Sequence, residues 1–296
     1  MKNKAFTLIE LLVVIAIVGL LSTIVLVVTS GVSEQGRIAK GLQFDKHLQN
    51  ALGSDAVGIW NFDEGENSIA YDASGWGNNG TLLNSPVWQC ASINPNFTPS
   101  NQGCSLEFDG NDDRITISDS PSLKWGDGSL TISHWLYLDS YPVGDTYGRA
   151  TFIKRDGVAW FNSRININGT IQMETKSYTP SELYKSVNTN EPVGLSAWHH
   201  LVLVIDRRTN KMYWIKNGAI ASSQTDIAGL GSLSNSTALL LGYGINGTID
   251  GRIDDVRIYT VPLTLAQIKQ LYYVGLQNIL VKGQISQREY QQRLTE

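Results

Sequence analysis

Two pairs of adjacent aspartates, Asp112-Asp113 and Asp254-Asp255, are the first candidates for chemistry in this sequence of 296 residues. Paired carboxyl groups can serve as the general acid and the general base of a hydrolase. Both pairs fall in segments with strand composition, and adjacent residues of a strand point to opposite faces of a sheet. A retaining glycosidase needs two carboxyl groups about 5 Å apart on one face. The aspartate pairs therefore do not predict catalysis.

The histidines at 199 and 200 are also adjacent and follow Trp198 in a segment with strand composition. One ring should point into the core and the other outward, and we expect a structural role for them. Nucleophile elbows, phosphate-binding loops and Cys/His metal clusters are absent from the sequence. The sequence therefore predicts a protein that is not an enzyme.

The two cysteines, Cys90 and Cys104, bracket a loop rich in Pro, Asn and Ser. In an exported protein such a pair most simply forms a disulfide, and closing a loop of about 15 residues would contribute roughly 3 kcal/mol. Two buried thiols are the alternative.

Aromatic side chains near turns are weak candidates for ligand contact, because an exposed ring can stack on a sugar. Most aromatic residues of a β-sandwich nevertheless belong to its core. The candidates for ligand contact are Trp76, Tyr141, Tyr147 and Tyr243.

Strands must position these residues, because the hydrophobic period after residue 55 is two. Leu130, Ile132, Leu136 and Leu138 alternate with the residues between them. Asx-Gly turn signals separate several such segments. Many short strands joined by such turns predict an antiparallel β-sandwich over residues 55–274. A short helix from Leu265 to Tyr273 is expected to close it.

The last segment, residues 275–296, is predicted to be helical in part. Ser286 followed by Glu289 fits a capping box that opens a short helix. The apolar face of this helix is thin, so the segment is either a frayed tail or a docking segment.

Charge and composition exclude some classes of partner. The net charge is -4, the isoelectric point is about 5.6 and charged residues make up 17% of the chain. A nucleic-acid-binding surface is not expected from these values.

The first thirty positions hold a large share of the apolar residues. Residues 6–28 are almost all apolar and follow Lys2 and Lys4, which fits a helix that spans a membrane. A secretory signal peptide is the alternative. Glu10 lies inside the apolar run, where a carboxylate costs about 2–3 kcal/mol to insert and needs a positive partner. Cleavage between Ala5 and Phe6 would create that partner, the amino group of Phe6.

At these positions the sequence resembles the type IV pilin family, including pseudopilins. The resemblance rests on KAFTLIE, residues 4–10, followed by LLVVIAIVGLL, and it covers about the first fifty residues. It implies that residues 1–5 are a leader removed by a prepilin peptidase, which also methylates the new amine of Phe6. It further implies a pilin-type helix over residues 6–54, with Glu10 guiding assembly with other pilin subunits.

Further along, the sequence resembles laminin-G-like domains of the concanavalin A-like jelly-roll fold. VGIWNFDEG, YDASGWGNNGT, LEFDGNDDRITI, WHHLVLVID and IDDVRIYTVPLTLAQIKQLY occur in the family's order. The resemblance implies two curved antiparallel sheets. It also implies one structural calcium ion, for which the candidate ligands are Asp63, Asp72, Asn78 and Asp254, since carboxylate and amide oxygens suit this cation. The alternative role of Asp72 and Asn78 is to cap turns.

Together these observations predict a mainly β protein: a membrane and pilin helix, an antiparallel jelly-roll sandwich and short C-terminal helices. The expected function is that of a pilin-like surface subunit, whose sandwich binds an extracellular glycan or protein without catalysis. The precursor is expected in the cytoplasmic membrane and the mature subunit in a pilus at the cell surface. The alternatives are a glycan-active enzyme of the same fold, secreted or anchored in the membrane, and a pseudopilin of a secretion or DNA-uptake system.

Overall fold

The computed structural model describes residues 52–90, 99, 103–144, 148–244 and 247–295. By its contacts the chain divides into two compact units, Met1–His47 and Leu48–Glu296, and the described residues belong to the second. The predictions for Ala5, Phe6, Glu10 and Tyr147 lie outside these residues. No helix in the part of the chain that is described is long and apolar enough to cross a membrane.

The described residues are mainly β, as the alternating pattern predicts. The strands are β1 Ala56–Trp60, β2 Ile69–Ala70, β3 Gly80–Leu83, β4 Val87–Cys90, β5 Cys104–Asp109, β6 Arg114–Ile117, β7 Leu130–Leu138, β8 Arg149–Arg155, β9 Ala159–Ile165, β10 Ile171–Ser177, β11 Leu183–Asn188, β12 Trp198–Asp206, β13 Lys211–Lys216, β14 Ala219–Ile220, β15 Thr225–Asp226, β16 Leu239–Leu241, β17 Tyr243–Gly244, β18 Gly247–Thr248 and β19 Asp250–Tyr259.

Two large antiparallel sheets form the sandwich. The first, which we call the front sheet, has the strand order β11-β10-β9-β8-β16-β6-β3-β2 within the described residues. The second, the back sheet, has the order β14-β13-β12-β7-β19-β5-β4, with β1 added beside β19 and β15 beside β13. The first strand therefore pairs with the last, as the jelly-roll resemblance implies.

The main core lies between the two sheets. Leu130, Ile132, Leu136 and Leu138 of β7 all face into it, which confirms the alternation predicted for this segment. His134 occupies the same face of β7 and is buried. The alternate residues of the back sheet point away from this core, where the C-terminal helices cover them.

Two helices follow the last strand: α1 over Leu265–Val281 and α2 over Gln287–Thr295. A capping box begins α1, since the Thr264 hydroxyl accepts from the N–H of Gln267 and the Gln267 side chain accepts from the N–H of Thr264. Ile268 and Leu271 of α1 pack on apolar residues of the back sheet.

The helix predicted over Leu265 to Tyr273 is too short, because α1 continues to Val281. Gly275 lies in its middle, where a Cβ atom would stand 2.3 Å from the ring of Trp135. The missing side chain lets the helix axis approach the sheet closely, and Tyr272 stacks on the same tryptophan with ring centres 5.7 Å apart. Packing against the sheet thus stabilises a helix that local propensity alone would end.

The C-terminal segment docks on the sandwich instead of fraying. The hydroxyl of buried Tyr290 donates to the Gln277 side chain over 2.8 Å. The Ser286 hydroxyl accepts from the N–H of Glu289 over 3.1 Å, which is one half of the predicted capping box. The side chain of Glu289 pairs with Arg293 instead.

Candidate functional site

The loop between β2 and β3 brings two of the four predicted calcium ligands, Asp72 and Asn78, together. Asp72 Oδ1 accepts from the N–H groups of Ile59 and Ser74, over 3.0 and 2.8 Å. Its Oδ2 accepts from the Ser74 hydroxyl and from the N–H of Asn78, over 2.8 and 2.9 Å. Asp72 thus ties the loop to β1 through Oδ1 and holds the loop's own turn through both oxygens, as expected of a turn-capping aspartate.

Asn78 is buried and uses its whole amide group in the same way. Its Nδ2 donates to the Val57 carbonyl over 2.7 Å and to the Ser122 hydroxyl over 2.8 Å. Its Oδ1 accepts from the Ser120 hydroxyl over 2.7 Å. These bonds join the loop to the first strand and to the turn before β7.

The other two predicted ligands, Asp63 and Asp254, interact with an ammonium group. Asp254 is fully buried. Burial lowers the pKa of Lys282, while the carboxylates of Asp254 and Asp63 act in the opposite direction. Lys282 is the residue that follows α1, so the C-terminal segment places a cation beside these aspartates.

Asp72 and Asn78 are therefore joined within one loop, while Asp63 and Asp254 act on one lysine. Within the residues that the structure describes, three acidic ligand atoms approach within 4.8 Å of one another only at Asp109, Asp112 and Asp113. The donor set of the four predicted residues is engaged with N–H, O–H and ammonium groups, which is a poor fit to a cation that takes 6–8 oxygen ligands. Calcium at this position stays a prediction.

The three clustered aspartates occupy the turn between β5 and β6. Asp113 is buried and accepts from the N–H of Asp109 over 3.0 Å. Hydrogen bonds from Asn111 lower the pKa of Asp109, whereas burial raises that of Asp113. Turn geometry accounts for this arrangement.

The predicted disulfide is present between Cys90 and Cys104. These residues face each other across the pair β4 and β5. The bond packs against Gly65, which has a φ of 71° and whose missing Cβ would lie 3.1 Å from Cys90 Sγ. The bridge therefore also braces the loop after β1.

The aromatic candidates occupy three different environments. Trp76 is 57% exposed in the loop between β2 and β3. Tyr141 is half-buried, and its hydroxyl donates to the Val193 carbonyl over 2.6 Å. Tyr243 is half-buried beneath the guanidinium group of Arg114, 5.2 Å from the ring centre. Within the described residues, no ring contact joins Trp76, Tyr141 and Tyr243 to one another.

A cavity of about 210 Å³ lies beside Tyr141. Asp109, Arg149 and Asp250 line it. The Arg149 guanidinium donates to the Thr248 carbonyl over 2.8 Å. The cavity is therefore lined by both acidic and basic side chains.

The outward face of the front sheet carries a larger polar array, which we call the front face. Cross-strand pairing places its side chains in three rows over β8 to β11. The rows are Ala150–Arg164–Gln172–Asn188, Ile153–Asn162–Glu174–Ser186 and Arg155–Trp160–Lys176–Tyr184.

Hydrogen bonds fix the middle of the front face. The Arg164 guanidinium donates to Gln172 Oε1 over 2.8 Å and to Glu174 Oε1 over 3.0 Å. The Tyr184 hydroxyl donates to the same Glu174 oxygen over 2.7 Å. Burial, followed by the hydrogen bond to Glu174, raises the pKa of this tyrosine. The array is thus ordered before any ligand arrives.

Aromatic rings flank this polar group. The guanidinium of Arg155 lies 4.9 Å from the centre of the Trp160 ring, and Tyr184 lies 6.0 Å from it. Tyr184 is 46% exposed. In the sequence, Gln172 and Glu174 alternate with apolar residues, which indicates that their side chains face outward. Their hydrogen-bond partners, however, lie on other strands, and the sequence did not identify those partners.

Comparison with protein families decides the identity of the sandwich. Residues 109–269 match the family model of the concanavalin A-like lectin/glucanases superfamily. The chain belongs to this superfamily. Residues 1–26 match the prokaryotic N-terminal methylation motif, the motif of type IV pilins. A search of curated proteins found no match.

Solved structures agree with the superfamily fold. The binding domain of Paraclostridial Mosquitocidal Protein 1 has a TM-score of 0.61 and 13% identity, and the match covers 76% of this chain and 53% of that one. Domain 4 of AbnA, a GH43 arabinanase from Geobacillus stearothermophilus in complex with arabinotriose, has a TM-score of 0.57 and 18% identity over 74% and 98% of the chains.

A third match is the ligand-binding domain of botulinum neurotoxin serotype D in complex with N-acetylneuraminic acid. Its TM-score is 0.56 and its identity 15%, and the match covers 77% of this chain and 53% of that one. The superfamily member described here spans about half the length of the two toxin domains. At these identities the likeness concerns the fold alone.

Proposed function

We propose that this protein is a type IV pilin-like surface subunit whose sandwich binds a glycan, or a protein, without catalysis. The observation that carries the proposal is the joining of two parts in one chain. A pilin methylation motif occupies residues 1–26, and a lectin-like domain matches residues 109–269. Solved structures of similar fold are binding domains of toxins and an arabinotriose-bound domain, which supports a binding role.

The N-terminal part supplies the route to the cell surface. The motif supports insertion of the precursor in the cytoplasmic membrane, followed by cleavage before Phe6 by a prepilin peptidase. Glu10 then meets the new amino group of a neighbouring subunit, so that a buried carboxylate sets the register of the filament. Assembly carries the sandwich out of the cell as part of a pilus.

The front face is the surface that we assign to binding. Glu174 and Gln172 offer acceptors and Arg164 offers donors, which is the mixture that a sugar's hydroxyl groups require. The exposed ring of Tyr184 provides an apolar surface for the C–H groups of a pyranose. Since hydrogen bonds already hold these side chains in place, little ordering entropy is lost on binding.

The same face lacks the means for glycoside hydrolysis. The three rows of side chains over β8 to β11 contain one carboxylate, Glu174, and Glu182, next to β11, is held in an ion pair by Lys176. Both geometries of hydrolysis by paired carboxylates need a second one across the scissile bond. The Glu174 carboxylate is moreover held by Arg164 and Tyr184. This arrangement supports binding without turnover.

A glycan array probed with the purified protein, with and without calcium, tests the binding role. Glu174→Gln and Tyr184→Ala should each reduce binding to any array hit at least tenfold, because the first removes the acceptor carboxylate of the front face and the second its exposed ring. Lys211→Gln, at a half-buried position on the other sheet, is the matched control. Binding that survives both front-face substitutions would refute the assignment, and release of sugar from a polysaccharide panel would refute the non-catalytic role.

A second experiment tests the assembly role separately. Glu10→Ala should abolish incorporation into filaments, while Glu10→Asp should retain part of it. The intact mass of the mature protein should correspond to a methylated chain that starts at Phe6. Normal assembly of Glu10→Ala, or a mature chain that starts after residue 28, would contradict the pilin role and leave the array result unaffected.

A further inference from the structure

The C-terminal helices create a cavity on the back sheet, on the side of the sandwich opposite the front face. We call it the tail cavity, and its volume is about 360 Å³. This lies within the range of roughly 300–1,000 Å³ that is typical of small-molecule sites. Its roof comes from residues 279–293, which follow the range 109–269 of the superfamily match. The cavity is therefore a property of this chain's C-terminal segment.

The floor of the tail cavity is one cross-strand row of the back sheet. Trp198, Tyr137, Arg252 and Glu107 lie side by side on β12, β7, β19 and β5. The rings of Tyr137 and Trp198 meet edge to face, with centres 5.6 Å apart. The Arg252 guanidinium lies 4.8 Å from the centre of the Tyr137 ring. The row forms a rigid, partly aromatic surface.

Arg252 has hydrogen-bonding capacity to spare. Its Nε lies 3.4 Å from Glu107 Oε2, and no other hydrogen bond of this guanidinium occurs with the residues that the structure describes. Its two Nη groups therefore remain as donors on a side chain that is only 17% exposed. An arginine fork held by stacking and by one ion pair is preorganised for a ligand's oxygen atoms.

The roof and the rim supply acceptors and apolar walls. Arg293 holds Glu289 with one Nη group over 2.6 Å and the Trp198 carbonyl with the other over 3.0 Å. Glu289 Oε2 has no hydrogen bond in the described structure and stays available. Ser196 lies exposed at the rim, and its N–H donates to the Leu138 carbonyl over 2.8 Å. Apolar walls come from Ile279, Ile285 and Ala197.

The charges of the tail cavity argue against an anionic ligand. Arg252 is balanced by Glu107 and Arg293 by Glu289. Asp139 also acts on Arg252 electrostatically, and burial raises the pKa of this aspartate. An added carboxylate would therefore gain no net attraction. A neutral molecule with hydroxyl groups on one side and C–H groups on the other uses both the donors and the acceptors that remain.

We propose that the tail cavity is a second ligand site, separate from the front face, and that it binds a neutral pyranose sugar. Arg252 donates to ring hydroxyl groups, Glu289 accepts from them, and the apolar walls contact the sugar's C–H groups. The C-terminal segment is then a functional part of the protein, since it completes this site.

Ligand-observed saturation-transfer NMR on the full chain, in a detergent without a sugar headgroup, tests the proposal. The probes are the methyl glycosides of D-glucose, D-galactose and D-mannose, with D-glucuronate and an acetylated tripeptide as comparators. At least one methyl glycoside should bind with a Kd of about 1 mM, an affinity typical of few contacts. Arg252→Gln and Glu289→Gln should each weaken that binding about tenfold, as loss of a charged hydrogen-bond partner does.

Controls separate this site from folding defects and from the front face. Arg208→Gln, whose side chain is 80% exposed and away from the cavity, should bind the probe unchanged. Tyr184→Ala, which should weaken front-face binding at least tenfold, should leave the probe bound in the tail cavity. If Arg252→Gln does not fold, the variant Glu289→Gln, at a half-buried position, decides. The proposal is overturned if no methyl glycoside binds, if binding survives both cavity substitutions, or if glucuronate or the peptide binds more tightly.

Discussion

A histidine in the main core makes the stability of the sandwich depend on pH in a way that one substitution can isolate. His134 is 1% exposed, and neither ring nitrogen has a partner among the described residues. Its ring meets the edge of Phe152, with centres 5.7 Å apart. Burial alone lowers its pKa from 6.5 to about 3. The folded protein therefore holds this histidine neutral.

The sign and the size of the effect follow from linkage. Between the two pKa values the unfolded chain binds a proton that the folded chain does not bind. The stabilisation is complete above pH 6.5 and is lost as the pH falls, at about 1.4 kcal/mol per pH unit. From pH 7 to pH 5 the loss is roughly 2 kcal/mol for His134. His200, whose pKa burial also lowers to about 3, adds a similar amount.

The substitution His134→Phe keeps a ring against Phe152 and removes the proton site. Urea unfolding, followed by tryptophan fluorescence at pH 7, 6 and 5 and constant ionic strength, measures the free energy of unfolding of each variant. The wild-type protein should lose about 2 kcal/mol more than His134→Phe over this range. Carboxylates titrate alike in the two proteins, so their contribution cancels in this difference.

Phe152→Leu is the matched control. It weakens the same ring contact and leaves the histidine in place, so it should lower the stability at every pH and keep the wild-type slope. If His134→Phe shows the wild-type decline between pH 7 and pH 5, the reasoning from burial is wrong.

Further predictions concern the disulfide, the contact of Gly275 with Trp135, the Lys282 ammonium group and the predicted calcium ion. Cys90→Ser with Cys104→Ser should lower the free energy of unfolding by about 3 kcal/mol, and should do so equally in wild-type protein under reducing conditions. Gly275→Ala should cost about 1–3 kcal/mol, since the added methyl group meets Trp135, and a normal melting temperature would contradict this close packing. Lys282→Met should destabilise the domain by about 1–3 kcal/mol through the carboxylates that it faces, whereas Lys282→Arg should retain most of the stability. If calcium holds the domain edge, EDTA should lower the melting temperature by several degrees, and metal-free protein with an unchanged melting temperature would exclude it.

Local pattern was sufficient to predict that residues 55–274 form strands of an antiparallel sandwich. Alternation places Leu130 and Ile132 on one face of β7, and that face is the core. The hydrophobic period of two and the Asx-Gly turns are local features of each strand and its turn, so a single sequence segment is enough to recognise them. The same alternation shows that Glu174 faces outward. The disulfide between Cys90 and Cys104 also followed from composition, because no other cysteine competes for either.

The sites were decided by tertiary structure. Spacing cannot show that Asp63 and Asp254 face Lys282, because that lysine arrives from a helix packed on the sheet. Nor can it show that Arg164 and Tyr184 share one oxygen of Glu174, since the three residues belong to three strands. Side-chain position across a sheet depends on register and on strand order. Both the register and the strand order are set by packing of the whole core. A single sequence segment contains only one of the two residues that make each such contact.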